Sequence, residues 1–215
     1  MPDSGYPVFL SKMKNVFKSL SRISGISLKL LAGKPAESIM NIYLIGYRCT
    51  GKSSVGKLLA ANLGMKFTDT DAELVRRTQR SISEIVEASG WDEFRRIEKN
   101  IIREFSAPGK LVIATGGGAV LDSENVVCMK KAGIVVWLRA RPLTIRERLK
   151  KDQGTEEFRP ALTAKGTSGE IDDILLIRNP FYEEAMDFYI DTDYLEITDV
   201  CRDIIKTIEN IKEKR

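Results

Sequence analysis

The chain has 215 residues, 43% of them hydrophobic and 30% charged, a size and composition that fit one soluble globular domain with a sizeable core. Cys49, Cys128 and Cys201 lie far apart, no CxxC pair occurs and histidine is absent, which argues against a disulfide framework or a zinc site and leaves Asp, Glu and Lys for acid–base work. The net charge of +4 lies within residues 1–39, where six bases (Lys12, Lys14, Lys18, Arg22, Lys29, Lys34) face two acids (Asp3, Glu37); the neutral remainder argues against a nucleic-acid-binding body, and apolar runs such as 58–61 and 134–138 are too short for a bilayer.

Residues 1–39 are basic and Ser-rich, with Phe9, Met13, Val16, Phe17 and Leu20 at helical spacing. Three readings stand for this extension: a start upstream of a native Met40, a weakly helical tail, or a transit peptide. From Met40 to residue 215 the pattern becomes one domain of alternating strands and helices. Asn41–Ile45 reads as a strand and Lys52–Leu63 as a helix. A short strand is expected near 66–68, and Ser81-Ile-Ser-Glu84 is a capping box that opens a further helix. Residues 91–105 form a helix with Phe94, Ile97, Ile101 and Phe105 as its stripe. Leu111–Ala114 and 134–138 are buried strands. Pro142–Lys151 is a helix with proline at its first position. Residues 152–169 are polar and Gly-rich, as expected of a mobile lid. A short strand over 187–190 and a helix over 199–212 close the chain. This alternation predicts an α/β fold with a mainly parallel sheet covered by helices on both faces.

Gly46-Tyr-Arg-Cys-Thr-Gly51-Lys52-Ser53 matches the full phosphate-loop pattern, between a strand and a helix. Glycines let successive backbone N–H groups turn inward around phosphate oxygens, and the helix N-terminus adds positive potential. Lys52 is expected to reach the β- and γ-phosphates of a nucleotide and the Ser53 hydroxyl to ligate one Mg²⁺ ion. Gly46, Arg48, Cys49, Thr50, Gly51 and Ser54 complete the nucleotide set. A second contact for the metal cannot come from the strand Leu111–Ala114, which runs into Thr115 and three glycines. Asp69 and Asp71, after the second strand, are the candidates; capping of a helix over 72–77 is their alternative role. Arg95 and Glu98 sit three apart on a helix, so Glu98 can hold Arg95 for a ligand, or the two can form a surface ion pair. Gly116–Gly118 after a buried strand is either a tight turn or a close approach of backbone to a ligand.

Read together, Phe67-Thr-Asp69-Thr-Asp71, Ser81-Ile-Ser-Glu-Ile85, Gly90-Trp-Asp-Glu-Phe94-Arg95-Arg96-Ile-Glu98, Gly116-Gly-Gly-Ala-Val120, Arg159-Pro160 and Arg178 resemble the ordered blocks of shikimate kinases over about residues 41–210. The resemblance implies a P-loop kinase fold of the nucleoside-monophosphate-kinase type, with a five-stranded parallel sheet and a lid. It implies ATP as phosphate donor, Mg²⁺, and shikimate as acceptor at its 3-hydroxyl, a step in aromatic amino acid biosynthesis. It further implies Asp71 on the substrate hydroxyls and as proton acceptor, and Asp69 on the metal through water. Arg95 and Arg178 would grip the substrate carboxylate, with Gly117 and Gly118 as a backbone platform and Glu98 orienting Arg95. Arg159 would close over the phosphates from the lid, and Arg148 would serve on the nucleotide side. Lys52, Asp71 and Arg159 are thus the catalytic candidates. A cytoplasmic monomer without nucleic-acid or membrane partners is expected.

The sequence departs from the family at Cys49, where glycine is common and where a thiol would make the loop oxidation-sensitive, and at the bulky Tyr47-Arg48. Further departures are Trp91, the longer stretch between Arg148 and Arg159, and Arg159-Pro-Ala-Leu162. Two rivals remain at this level: another small-molecule P-loop kinase such as a gluconate kinase, and a non-catalytic ligand-sensing domain.

Overall fold

A computed structural model of the chain describes residues 40–107, 109–151 and 170–213. The basic extension over 1–39 and the expected lid over 152–169, with Arg159 in it, lie outside the described residues. Five strands form one parallel sheet: β1 (Asn41–Ile45), β2 (Lys66–Asp69), β3 (Leu111–Ala114), β4 (Gly133–Arg139) and β5 (Phe188–Asp191), in the order β2-β3-β1-β4-β5. Among the described residues, seven α-helices connect and cover them, α1 (Lys52–Leu63), α2 (Thr70–Thr78), α3 (Ile82–Phe105), α4 (Ser123–Ala132), α5 (Pro142–Lys151), α6 (Ile171–Ala185) and α7 (Ile197–Glu213), with a 3₁₀ turn at Ala119–Leu121.

Strand alternation splits the core in two. Ile42 and Leu44 of β1, with Ile134, Val136 and Leu138 of β4, pack under α1 and α7, joining Val55, Leu59, Val200 and Ile204. Tyr43 and Ile45, with Val135 and Trp137, face the other way and meet Ile102, Met129, Tyr182 and Ala185 from α3, α4 and α6. Both faces are therefore apolar, as a parallel sheet covered on both sides requires. Each such buried aliphatic side chain contributes roughly 1.5–3 kcal/mol.

Register brings the functional ends together. Leu44 of β1 and Asp69 of β2 both pair with Ala114 of β3, so these three strands finish side by side. Ligands in open α/β sheets bind beyond such carboxyl ends.

The helices refine the sequence reading. The capping box is complete: the Ser81 N–H donates to Glu84 Oε2 at 2.7 Å and the Glu84 N–H to Ser81 Oγ at 3.1 Å. From it α3 runs through residues 82–105 with one non-helical residue, Gly90 at φ 78° and ψ 172°. The helix expected over 72–77 begins earlier, at Thr70, because Asp69 caps it: Asp69 Oδ1 accepts from the N–H groups of Asp71 at 3.0 Å and Ala72 at 3.3 Å. Helices α4 and α6 were not expected from the sequence; α6 also contains Pro180.

Candidate active site

Two concave surfaces meet at the carboxyl ends of β1, β2 and β3. The first is the phosphate loop. Gly46 leaves β1 at φ 139°, where an added Cβ would collide with the Leu138 carbonyl, and Gly51 turns the loop into α1 at φ 94°. Cys49 takes φ 59°, a left-handed conformation that costs an L-residue about 1–2 kcal/mol. Lys52 is 9% exposed, and its Nζ donates to the carbonyls of Gly46 at 2.9 Å and Tyr47 at 2.7 Å. The Thr50 hydroxyl donates to the same Tyr47 carbonyl at 2.9 Å. A groove beside the loop is lined by Cys49, Thr50, Gly51, Ser54, Arg148 and Thr192. Arg148 reaches across it from α5, donating to the Cys49 carbonyl at 3.3 Å, to Thr192 Oγ1 at 3.0 Å and to the Thr192 carbonyl.

Ser53 Oγ donates to Asp69 Oδ2 at 2.6 Å. The hydroxyl that a phosphate loop offers to a metal and the second-strand carboxylate thus share one spot, while Asp69 Oδ1 caps α2. Of the two roles weighed for Asp69, the cap is made by Oδ1, and Oδ2 is left facing the Ser53 hydroxyl. Among the described residues no three His, Cys, Asp or Glu side chains cluster as a metal cage. A pair of hard oxygen donors beside a phosphate loop fits Mg²⁺, which usually keeps waters and substrate phosphates as its other ligands.

The second surface is a cavity between the glycine run after β3 and helices α2, α3 and α6. Asp71, Arg95, Glu98, Gly116, Gly117, Gly118 and Arg178 line it, with Ile82, Trp91 and Phe94 as apolar walls and Arg48 at the loop side. Arg95 Nη1 donates to Glu98 Oε2 at 2.5 Å, and Glu98 is 1% exposed, so the spacing of three gives a buried clamp rather than a surface pair. The Arg95 guanidinium also stands over the Phe94 ring at 4.9 Å and the Trp91 ring at 5.8 Å. These contacts fix the plane of its fork. Burial pushes the Glu98 carboxyl up from its ordinary value; Arg95 opposes the rise and the neighbouring Asp71 carboxylate adds to it.

The glycine run is held from three sides. The Gly116 N–H donates to Thr70 Oγ1 at 2.9 Å and Tyr182 Oη donates to the Gly117 carbonyl at 2.5 Å. A Cβ on Gly118 would lie 2.8 Å from Cζ and 2.9 Å from Nη1 of Arg95, and closer still to Nη2. A Cβ on Gly117 would meet Arg178 Nη1 at 3.4 Å. The run is therefore a close approach of backbone to the arginine clamp, not only a turn. Arg178, 3% exposed on α6, comes from the far end of the chain to the same cavity.

Most of the sequence-derived candidates thus fall into one of two adjoining surfaces: Lys52, Ser53, Asp69 and Arg148 about the phosphate loop, Asp71, Arg95, Gly117, Gly118 and Arg178 in the cavity. Arg48, expected with the nucleotide, is the loop residue among those that line the cavity. Sequence reading missed Ile82, Thr70 and Tyr182 as parts of the site. Thr70 sits between the two aspartates already singled out, which was the available signal; Tyr182 had none, because its partner is 65 residues away.

A family profile described as shikimate kinase matches residues 48–209. The shikimate kinase of Thermodesulfovibrio yellowstonii is 43% identical over 171 residues, covering 80% of this chain and 96% of that protein. That of Nitratidesulfovibrio vulgaris is 40% identical over 149 residues, covering 69% of this chain and 85% of its own length. Among solved structures, the shikimate kinase from Acinetobacter baumannii in complex with shikimate superposes with a TM-score of 0.74 at 34% identity, covering 82% of this chain and 98% of that one.

Proposed function

This chain belongs to the shikimate kinase family, and we propose that it transfers the γ-phosphoryl group of ATP to the 3-hydroxyl of shikimate through the residues described above. The observation that carries the assignment is the meeting of a carboxylate, a buried arginine clamp and a glycine platform in one cavity beside the phosphate-loop lysine.

Each group has a chemical task. Arg95 and Arg178 hold the substrate carboxylate, the first with its fork pre-set by Glu98 and Phe94, which lowers the ordering cost of binding. Asp71 accepts hydrogen bonds from ring hydroxyls and takes the proton of the attacking one. A bond forms between that oxygen and the γ-phosphorus, and the bond to the departing ADP oxygen breaks. Lys52 leaves the Gly46 and Tyr47 carbonyls for the phosphates, and the loop N–H groups stabilise charge on the transferring oxygens. Ser53 and Asp69 would hold Mg²⁺, which when bound would neutralise negative charge on the phosphates. Arg148 and Thr192 bound the nucleotide side, and Arg159 is assigned by its Arg-Pro segment to the phosphates. No helix among the described residues is long and apolar enough to cross a membrane, and a cytoplasmic monomer over residues 40–215 completes the proposal.

The test is ADP release by the purified chain with ATP and Mg²⁺, with and without shikimate. Strong stimulation by shikimate that Lys52→Ala abolishes is the expected result. ATP binding without stimulation would refute the kinase reading in favour of a ligand-sensing one.

A further inference from the structure

Arg48 belongs to the phosphate loop by sequence, and it also lines the acceptor cavity with Arg95 and Arg178. Among residues 46–53 it is the one that lines that cavity, whereas Cys49, Thr50 and Gly51 line the nucleotide groove. The Arg48 backbone nitrogen stands 3.7 Å from the point where a Cβ on Gly117 would sit, and Arg178 Nη1 stands 3.4 Å from the same point. The Arg48 guanidinium lies over the Tyr47 ring, 5.6 Å from its centroid. Its Nη2 is 3.4 Å from Oε1 of Glu170, with side-chain exposures of 10% and 0%. Glu170 is the N-cap residue of α6, the helix that carries Arg178. A separation of 3.4 Å exceeds the roughly 2.7–2.9 Å of a tight charge-assisted bond. Glu170 therefore neutralises Arg48 without locking its fork in one orientation.

We infer that Arg48 is a phosphate-binding residue of the acceptor side, which takes hold of the phosphoryl group once it is on the acceptor oxygen, with Glu170 as its counter-ion before transfer. The inference rests on the proposed phosphoryl transfer. The charges of the cavity ask for such a group. Arg95 and Arg178 stand against Asp71 and Glu98, and the incoming acid adds a single negative charge. The phosphorylated product adds roughly 1.5–2 more. Among the described residues, the other cation of the loop is Lys52, whose Nζ is engaged by the Gly46 and Tyr47 carbonyls. Arg48 is the cation at the boundary between the two surfaces, and its planar fork suits two phosphate oxygens. The buried Glu170 also sets a limit: with its own counter-ion beside it, Arg48 binds the product less tightly than a bare guanidinium would, which favours release.

Calorimetric titration of the full chain with shikimate and with shikimate 3-phosphate tests this, using wild type, Arg48→Met, Arg48→Lys and Glu170→Gln. Arg48→Met is expected to weaken the phosphorylated ligand about tenfold or more and shikimate by less than about threefold. Arg48→Lys should retain part of the phosphate affinity, and Glu170→Gln should tighten it several-fold. If the ion pair is only structural, both Arg48→Met and Glu170→Gln weaken both ligands alike, and the inference is overturned. Should Arg48→Met fail to fold, Arg48→Lys and Glu170→Gln decide, because their shifts in phosphate affinity must have opposite signs. Shikimate-dependent ADP release by wild type is measured on the same preparation. Its absence would refute the proposed function, whereas normal turnover with unchanged phosphate affinity in the variants would refute this inference alone.

Discussion

Gly118→Ala isolates the arginine clamp from everything else in the site. Gly118 adopts φ −106° and ψ 4°, which alanine reaches, so the substitution adds no positive-φ strain. What it adds is one methyl group in the space held by Arg95, 2.8 Å from Cζ and 2.9 Å from Nη1. Ordinary carbon contacts stand at about 3.5–4.0 Å, so the guanidinium must move by roughly 1 Å. It cannot do so freely: Glu98 holds it at 2.5 Å and the Phe94 ring lies 4.9 Å away. A misplacement of this size costs about 10²-fold in a positioned reaction, equivalent to about 2.7 kcal/mol of transition-state stabilisation. Steady-state kinetics should show kcat/KM for shikimate falling about 100-fold, with the KM for ATP within about twofold of wild type, since the groove residues are untouched. Gly117→Ala, whose Cβ meets its neighbours no closer than 3.4 Å, should lose several-fold less. A Gly118→Ala enzyme with wild-type kcat/KM would refute the argument that the backbone at 118 and the Arg95 fork are fitted to one another.

Two further variants separate roles that now share a residue or an element. Asp69→Asn keeps the cap of α2, because asparagine caps as well as aspartate, but loses the charge beside Ser53. Its half-saturating Mg²⁺ in the kinase assay should rise about tenfold, with the melting temperature within about 1 °C, whereas Asp69→Ala should also lose about 1 kcal/mol, or roughly 2–4 °C. An unchanged Mg²⁺ requirement in Asp69→Asn would remove Asp69 from the metal. Arg148→Ala breaks the bonds to Thr192 and to the Cys49 carbonyl; the KM for ATP should rise about tenfold and that for shikimate stay within about twofold, and the reverse pattern would move Arg148 to the acceptor side.

How much was legible follows from the range of each interaction. The phosphate loop, the capping box at Ser81 and the Arg95–Glu98 pair are local, so spacing alone exposes them. The strands read well because β1 and β4 are near-continuous apolar runs, as sheets buried on both faces require. Helix α4 escaped because Val126, Val127, Cys128 and Met129 are contiguous rather than periodic. Helix α6 escaped because Asn179 and Pro180 read as breakers; an interior proline costs about 3 kcal/mol, and the burial of Ile171, Ile174, Leu175, Tyr182 and Ala185 outweighs it. That Arg178 lies on this helix, with Glu170 at its head, is a tertiary fact. Nothing near either residue in sequence points to Gly117 or to Arg48.

The same contrast explains why the charged groups of the site are buried at all. Arg48, Arg95 and Arg178 are at most 14% exposed, and Glu98 and Glu170 have almost no contact with water. Taking paired charges out of water is at best neutral for folding compared with apolar residues of similar volume. Stability therefore does not account for three arginines and two carboxylates lining one small cavity, with Glu170 set against Arg48. Electrostatic preorganisation does, because donors fixed in a medium of low dielectric need no rearrangement when charge develops. The apolar walls formed by Ile82, Trp91 and Phe94 belong to that function as much as the charges do. They keep the medium around Arg95 poor in water, and the same burial lifts the Glu98 carboxyl above its ordinary value. Replacing a wall residue with a small polar one would then weaken the hold on the substrate carboxylate without touching any charged group.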